Sequence, residues 1–268
     1  MTEIKADEYW AKKGDVDLFI FRKRLTASEN APVLFMVHGS SFSGPTGFDL
    51  QVPGREDYSQ MDRSARAGFD VWTLDHEGYG QSPRTDGNSG IASGVEDLKA
   101  GFNVITRETG LTAALFYGSS SGALRAATYA EARPDAVTRL VLDAFVWTGE
   151  DAPTLIKRAE KLDYFRSHNT RPVDSAFFES IFTRDKPGTS EQIVAETLAE
   201  TELQYSDAVP TGTYLEMCAH LPVVDPAKIT CPVMIVRGEH DGVATEEDLM
   251  NFFRLLPNMD KQFAIFAS

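Results

Sequence analysis

Ser120 lies at the centre of the pattern that most strongly suggests chemistry, the pentapeptide GSSSG of residues 118–122. The pentapeptide directly follows an apolar run and opens an alanine-rich helical pattern, which is the strand–turn–helix setting of a G-x-S-x-G nucleophile elbow. Such a turn strains the backbone of the serine, and the flanking glycines let strand and helix approach closely. Ser119 and Ser121 also carry hydroxyls, but only Ser120 has a glycine two residues away on both sides. The pattern therefore predicts a nucleophilic serine at position 120.

The strands that would position this serine are predicted from short apolar runs between turn residues. They fall at residues 33–37, 71–74, 113–117, 137–142, 233–236 and 262–266, with an edge hairpin at 16–24. Continuous apolar strands are typical of a parallel sheet that is covered on both faces. Helical patterns alternate with these runs. The alternation predicts an α/β fold, with a mostly parallel twisted sheet and helices on both faces.

One long segment, between Trp147 and Pro226, interrupts this alternation. It contains no predicted strand, and several helical stretches follow one another along it. We interpret residues 148–226 as a helical cap, inserted between a first core part (1–147) and a second core part (227–268). The cap carries fourteen acidic and seven basic residues, and so half of the chain's net charge of −14. This acidic cap is expected to repel polyanionic substrates.

Four landmarks, in this order, resemble the α/β-hydrolase superfamily over nearly the whole chain. They are HGSS at 38–41, DHEGYGQS at 75–82, GSSSG at 118–122 and RGEHD at 237–241. They are similar to the family's oxyanion loop, its D-x-x-G-x-G-x-S turn, its nucleophile elbow and its acid turn. The resemblance implies an α/β-hydrolase fold and acyl transfer, with Ser120 as the nucleophile. It also implies an oxyanion hole formed by the backbone N–H groups of Ser40 and Ser121.

The resemblance also implies an acid and a base, because a serine hydroxyl is a weak nucleophile by itself. Asp241 is the first candidate for the acid, and Asp143, at the end of an earlier predicted strand, is the second. The family places its catalytic histidine shortly beyond the last strand, but no histidine follows residues 262–266 here. None of the five histidines fits that position: His38, His76, His168, His220 and His240. We expect the histidine on a C-terminal continuation or a second chain, while an unusual base or a base-less binding protein stays open.

Three aromatic residues near the oxyanion loop and the cap entrance, Phe42, Phe145 and Trp147, are predicted to line an apolar or aromatic pocket. The favoured function is therefore a serine hydrolase that acts on a small or medium apolar or aromatic carboxylic ester. A carbon–carbon bond hydrolase or a lactonase of aromatic-compound degradation is the alternative within the fold. A small-molecule-binding protein on a hydrolase fold is the alternative from another class.

The composition disfavours several other classes of protein. With 26 basic and 40 acidic residues the chain is a poor candidate for nucleic acid or an anionic membrane surface. No apolar run approaches the roughly 20 residues of a membrane span, and the N-terminus lacks a signal-peptide pattern, so a cytoplasmic protein is expected. The two cysteines and the absence of HExxH and CxxC motifs predict no metal and no cofactor. A homodimer is left open.

Overall fold

A single eight-stranded sheet organises the computed structural model, which describes residues 3–26 and 30–267. The strands of the described residues are β1 (Ile4–Lys13), β2 (Val16–Leu25), β3 (Val33–Val37), β4 (Asp70–Leu74), β5 (Ala114–Ser119), β6 (Val137–Asp143), β7 (Thr170–Pro172), β8 (Ala208–Pro210), β9 (Val233–Gly238) and β10 (Lys261–Phe266). The large sheet has the order β1-β2-β4-β3-β5-β6-β9-β10. The first three strands in this order pair antiparallel, and the pairs from β4 to β10 are parallel. This is the α/β-hydrolase fold that the sequence predicted.

Helices cover the sheet and form the segment between β6 and β9. They are α1 (Gly44–Phe48), α2 (Gln60–Arg66), α3 (Ile91–Thr109), α4 (Ser121–Ala132), α5 (Pro153–Ala159), α6 (Leu162–Ser167), α7 (Ser175–Thr183), α8 (Gln192–Leu203), α9 (Gly212–Ala219) and α10 (Glu246–Leu255). Two short 3₁₀ turns lie at Pro134–Ala136 and Pro226–Lys228. None of the helices in the described part of the chain is long and apolar enough to cross a bilayer.

The parallel register brings the carboxyl ends of the central strands to one edge of the sheet. Val37 at the end of β3 lies opposite Gly118 of β5, and Ser119 lies opposite Asp143 of β6. In the next pair, Asp143 lies opposite Val236 of β9. Loops that leave these strands therefore meet above the same edge, which is where ligands bind in open α/β sheets.

The core explains why the central strands are apolar throughout. All five residues of β3 and all five of β4 are buried, because helices cover both faces of the sheet there. Between β3, β5 and α4, Phe35 packs edge-on against Phe116 at 5.3 Å, and Phe116 stacks on Tyr129 at 5.0 Å. Each fully buried aromatic or aliphatic side chain contributes about 1.5–3 kcal/mol of transfer free energy. This packing holds the strand ends rigidly in place.

Two features of the secondary structure differ from the prediction. A small antiparallel sheet, in which Thr170–Pro172 pairs with Ala208–Pro210, lies in the segment where no strand was predicted. Its strands are three residues long and each ends in proline, so no alternation could reveal them. β1 was also missed, because its sequence IKADEYWAKK is polar and mostly solvent-facing at the edge of the sheet.

Candidate active site

Ser120 lies in the tight turn between β5 and α4, with backbone angles φ 56° and ψ −124°. Residues other than glycine adopt such a positive φ only under strain, at about 1–3 kcal/mol, and this strain concentrates at functional sites. The Ser120 N–H donates to the carbonyl oxygen of Asp143 at 2.8 Å, which holds the turn. A Cβ on Gly118 would stand 2.5 Å from the carbonyl oxygen of Gly122, so the turn requires glycine. The Ser120 side chain is half-buried and lines a cavity of about 440 Å³.

The loop after β3 lies directly against this turn. A Cβ on Gly39 would stand 3.1 Å from the Cβ of Ser120. The buried hydroxyl of Ser40 donates to the hydroxyl of Ser121 at 2.8 Å, and the Ser40 carbonyl accepts a hydrogen bond from the Tyr79 hydroxyl at 3.1 Å. Within the described residues, the backbone N–H groups of Ser40 and Ser121 have no acceptor. Two free donors beside a serine are the arrangement that an oxyanion hole requires.

His38 and His76 form a buried pair beneath that loop. The His76 N–H donates to Nε2 of His38 at 2.9 Å, so the His38 proton is on Nδ1, which lies 2.8 Å from the carbonyl oxygen of Gly39. Nδ1 of His76 lies 2.9 Å from Oδ2 of Asp97. Burial lowers the pKa of both imidazoles well below the ordinary value. Both rings are therefore neutral, and they brace the loop.

Asp241 lies in the turn after β9 and lines the same cavity as Ser120. Its Oδ1 accepts a hydrogen bond from the N–H of Val243 at 2.8 Å. Its Oδ2 is buried and has no hydrogen-bond partner among the described residues. Burial raises the pKa of this carboxyl above its usual range. Because a buried oxygen without a donor is costly, Oδ2 is a place where an imidazole N–H would bind favourably.

Arg237 in β9 fixes the turn that carries this carboxylate. Its guanidinium donates to four backbone carbonyl oxygens, those of Gly238 (2.8 Å), Glu239 (2.9 Å), Asp241 (2.9 Å) and Ala244 (3.4 Å). The planar guanidinium carries five N–H donors, which suits it to this task. Arg237 is therefore a positioning residue for Asp241. The sequence analysis missed it, although it stands next to Gly238 in the acid-turn motif.

Asp143, the other candidate acid, ends β6 and faces a different cavity. This second cavity, of about 230 Å³, is lined by Asp143 together with Tyr117 and Ser119. Oδ2 of Asp143 accepts hydrogen bonds from the Tyr117 hydroxyl at 2.8 Å and the Ser119 hydroxyl at 3.2 Å. Burial raises the pKa of Asp143, and these hydrogen bonds oppose that effect. Asp143 is thus already occupied by donors from the neighbouring strand.

The three aromatic residues expected in the pocket have different surroundings. Phe42 lines both cavities. Phe145 is fully buried against Phe252 of α10, with ring centroids 4.7 Å apart. Trp147 lies 5.9 Å from the same ring, and its indole N–H donates to the carbonyl oxygen of Val224 at 3.0 Å. Neither Phe145 nor Trp147 lines the cavity at Ser120, which corrects their assignment to the pocket: after β6 the chain turns both rings onto α10.

The histidines do not complete a triad within the described residues. Of the chain's five, only His240 lines the cavity at Ser120, and it forms no hydrogen bond with Ser120 or Asp241. His168 and His220 lie in the segment between β6 and β9, and both are exposed. The structure thus brings Ser120 and Asp241 to one cavity, and no imidazole of the described residues bridges them.

Residues between β6 and β9 complete the cavity wall. Those that face Ser120 across the cavity include Arg158, Ile181, Phe182, Arg184, Asp185 and Tyr214. None of the arginines was expected there from the sequence. A segment with twice as many acidic as basic residues looks uniformly acidic, and no motif marked the basic ones.

Comparison with known proteins agrees with this architecture. The family model Hydrolase_4, described as serine aminopeptidase, S33, matches residues 57–268, which is most of the chain. No curated protein matches the sequence.

Solved structures match nearly the full chain at low identity. Carboxylesterase CesB (YbfK) from Bacillus subtilis is 17% identical, with a TM-score of 0.67, over 98% of this chain and 84% of that chain. E-2-(Acetamidomethylene)succinate hydrolase is 17% identical, with a TM-score of 0.68, over 98% of this chain and 91% of that chain. The esterase EaEST from Exiguobacterium antarcticum is 15% identical, with a TM-score of 0.68, over 96% of this chain and 90% of that chain. At these identities the likeness shows the fold alone.

Proposed function

This chain belongs to the Hydrolase_4 family (serine aminopeptidase, S33) of the α/β-hydrolase superfamily, and we propose that it cleaves a small or medium apolar or aromatic carboxylic ester through an acyl-enzyme. One observation carries the proposal: the strained Ser120 lines the same cavity as Asp241, whose Oδ2 is buried and has no hydrogen-bond partner in the part of the chain that the structure describes. Backbone strain is concentrated at functional residues, which favours Ser120 as the nucleophile. The free carboxylate oxygen of Asp241 can accept a hydrogen bond from the base that activates this serine.

In the proposed reaction, the Ser120 hydroxyl loses its proton to the base and attacks the carbonyl carbon of the ester. The backbone N–H groups of Ser40 and Ser121 stabilise the negative charge on the tetrahedral intermediate, a contribution of roughly 3–4 kcal/mol per donor. The alcohol leaves with the proton from the base, and the acyl group stays on Ser120. Water, activated by the same base, then releases the acid.

The base in this proposal is a histidine whose Nδ1–H is bound by Oδ2 of Asp241. We propose that it comes from a C-terminal continuation or from a second chain, as the sequence led us to expect. The unfilled oxygen supports this, because a carboxylate that has already found its donor within the fold, as Asp143 has, offers no place for an imidazole. His240 is the alternative within the chain, since it lines the same cavity.

The direct test of the nucleophile compares two neighbouring serines. Ser120→Ala should lower the hydrolysis of para-nitrophenyl hexanoate by at least about 1,000-fold, because the covalent step is lost. Ser119→Ala is the matched control: its hydroxyl serves Asp143, and the variant should retain most of the activity. Circular dichroism and thermal unfolding establish that both variants fold. Full activity of a folded Ser120→Ala variant would refute the assignment.

The choice of base is tested by His240→Gln. If activity survives this substitution, the result supports a histidine other than the five in this sequence as the base. A loss as large as that of Ser120→Ala would assign the base to His240.

The type of reaction is tested separately. A panel of lactones and of substrates with an activated carbon–carbon bond distinguishes ester hydrolysis from the two alternative reactions. Tight binding of such ligands without turnover of any would instead favour a small-molecule-binding protein.

A further inference from the structure

In the segment between β6 and β9, most of the basic residues line cavities and most of the acidic residues do not. Six of the seven basic residues of segment 148–226 line the cavity at Ser120 or a larger adjoining cavity of about 1020 Å³: Lys157, Arg158, Lys161, Arg171, Arg184 and Lys186. Only two of its fourteen acidic residues, Glu160 and Asp185, do so. The basic residues of the segment are therefore concentrated around these two cavities, and most of its acidic residues lie elsewhere.

Two of these arginines enclose one tyrosine. The guanidinium carbon of Arg158 lies 3.8 Å from the ring centroid of Tyr214, and that of Arg171 lies 4.2 Å from it. An Nη of Arg171 donates to the hydroxyl of Ser41 at 3.3 Å, and that hydroxyl lies 3.4 Å from the Tyr214 hydroxyl. Because Ser41 follows Ser40 in the oxyanion loop, this cluster reaches the catalytic side of the cavity. Below, Arg158, Arg171 and Tyr214 are called the arginine–tyrosine cluster.

The two arginines of the cluster have no carboxylate partner among the described residues. The hydrogen bond of Arg158 there is to Sδ of Met217, at a long 3.9 Å, and Nε of Arg171 is buried without an acceptor. Arg184 differs, because Asp185 pairs with it through two hydrogen bonds of 3.0 and 2.8 Å. A cation withdrawn from water without a counter-charge is costly. An arrangement of this kind is stabilised when an anion binds.

Burial lowers the pKa of Arg158, and the neighbouring Arg171 and Arg184 act in the same direction. The same arginines outweigh the effect of burial on Tyr214 and lower its pKa to about 8. Positive charge is therefore concentrated around Tyr214, in a chain whose net charge is −14.

We propose that the arginine–tyrosine cluster binds a carboxylate at the far end of the ester substrate, so that the substrate is a half-ester of a dicarboxylic acid. This inference rests on the proposed esterase function. The planar guanidinium fork matches a carboxylate in geometry and charge. Asp241 and Glu239 line the same cavity and repel negative charge, which favours a singly charged carboxylate over a phosphate.

Apolar side chains in the wall of the cavity at Ser120 suit the part of the substrate that joins the ester to the carboxylate. Phe42, Ile181 and Phe182 line the cavity that Ser120, Arg158 and Tyr214 also line, so an apolar chain is accommodated there. In the reaction, water adds across the ester bond: the acyl carbon–oxygen bond breaks, and the products are a dicarboxylate, the alcohol and one proton. The bound carboxylate itself does not react.

The test compares two esters of equal acyl length, para-nitrophenyl hexanoate and para-nitrophenyl hydrogen adipate, with the complete protein. The wild type should show the higher kcat/KM for the adipate half-ester. Arg158→Gln should lower the ratio of adipate to hexanoate kcat/KM by about 10- to 100-fold, mostly through KM, because a charged hydrogen bond is lost. Arg166→Gln is the control, since Arg166 is exposed, pairs with Asp163 and lines neither cavity, and it should leave the ratio unchanged.

The outcomes separate this proposal from the esterase proposal. If hexanoate is hydrolysed, but adipate is not preferred and Arg158→Gln leaves the ratio unchanged, the carboxylate site is refuted and the esterase stands. If neither ester is hydrolysed, calorimetry of monomethyl adipate with the wild type and Arg158→Gln decides: binding that Arg158→Gln weakens supports the site, and absent or equal binding refutes it. Arg158→Lys, which keeps the charge, should restore part of the affinity and guards against a folding defect in the Gln variant.

Discussion

Two carboxylates stand at the same edge of the sheet and differ in what holds them. Asp143 ends β6, and its Oδ2 receives hydrogen bonds from Tyr117 and Ser119. Asp241 lies in the turn after the neighbouring strand β9, and its Oδ2 is buried without a donor from residues 3–26 and 30–267. Burial raises the pKa of both groups. Burial and position at the edge therefore do not distinguish the two carboxylates. They differ in whether Oδ2 receives a hydrogen bond.

We propose that this difference separates a structural carboxylate from a functional one. Asp143 faces the cavity that Ser120 does not line, whereas Asp241 shares the cavity of Ser120. An acid that orients a catalytic base must keep an acceptor free for that base. By this criterion Asp241 is the acid of the proposed triad, and Asp143 stabilises the elbow, since its carbonyl oxygen accepts the N–H of Ser120.

Asp241→Asn tests most directly whether Asp241, rather than Asp143, is the acid of the proposed triad. We expect kcat to fall by roughly 1,000- to 10,000-fold, because the amide cannot stabilise the imidazolium that forms during the reaction. Steady-state kinetics with para-nitrophenyl hexanoate measures the change. A loss smaller than that caused by Asp143→Asn would transfer the role of the acid to β6.

Arg237→Gln tests whether the turn must be fixed for Asp241 to act. Loss of its hydrogen bonds to the turn carbonyls should displace the carboxylate and lower kcat by about 10- to 100-fold, since small misplacements have effects of that size. KM should change little, because Arg237 does not line the cavity. An effect on KM alone would contradict a positioning role.

Asp143→Asn should lower kcat by less than about 10-fold. The amide oxygen still accepts from the Tyr117 hydroxyl, and the backbone carbonyl that holds Ser120 is unchanged. Tyr117→Phe, which removes a donor without altering the charge, is the companion variant and should behave similarly. If either variant were as inactive as Ser120→Ala, the structural role of Asp143 would be untenable.

The smallest expected effect is on stability as a function of pH. Because burial raises the pKa of Asp143, the folded state binds this proton more tightly than the unfolded state does. Its contribution to the free energy of unfolding is thus fully present below the unfolded carboxyl pKa, near about 4, and is lost as pH rises through the folded pKa.

Asp143→Asn removes this titration, so its Tm relative to wild type should rise as pH is raised from about 4 to neutrality. Differential scanning calorimetry measures the trend. Asp163→Asn, at an almost fully exposed side chain, is the control and should show no such trend. A Tm difference for Asp143→Asn that moves in the opposite direction would show that the carboxylate stabilises the fold more when charged.

The sequence predicted the parts of this site that depend on strand order and local turns. The elbow at Ser120 and the loop at Ser40 follow from which residues leave which strand, because parallel strands end at one edge. Side-chain direction beyond a strand end was not predictable in the same way. Phe145 is the second residue after β6, and Ser120 is the first residue after β5, yet the ring of Phe145 turns into the core onto Phe252.

The arginine–tyrosine cluster was beyond sequence reasoning for another reason. Arg158 and Arg171 lie thirteen residues apart, on α5 and β7, and they meet only because the segment between β6 and β9 folds around Tyr214. Net charge describes a whole segment and carries no information on which side chains face inward. The free oxygen of Asp241 is likewise a property of the packed structure.

The central claim, that Ser120 is an activated nucleophile in the complete protein, is tested most directly by intact mass spectrometry after treatment with a fluorophosphonate probe. We expect a single adduct, mapped by peptide analysis to Ser120 and absent from Ser120→Ala. The mass of the untreated protein shows at the same time whether a longer chain or a second chain is present. A folded protein that acquires no adduct, or acquires it on another residue, would contradict the account.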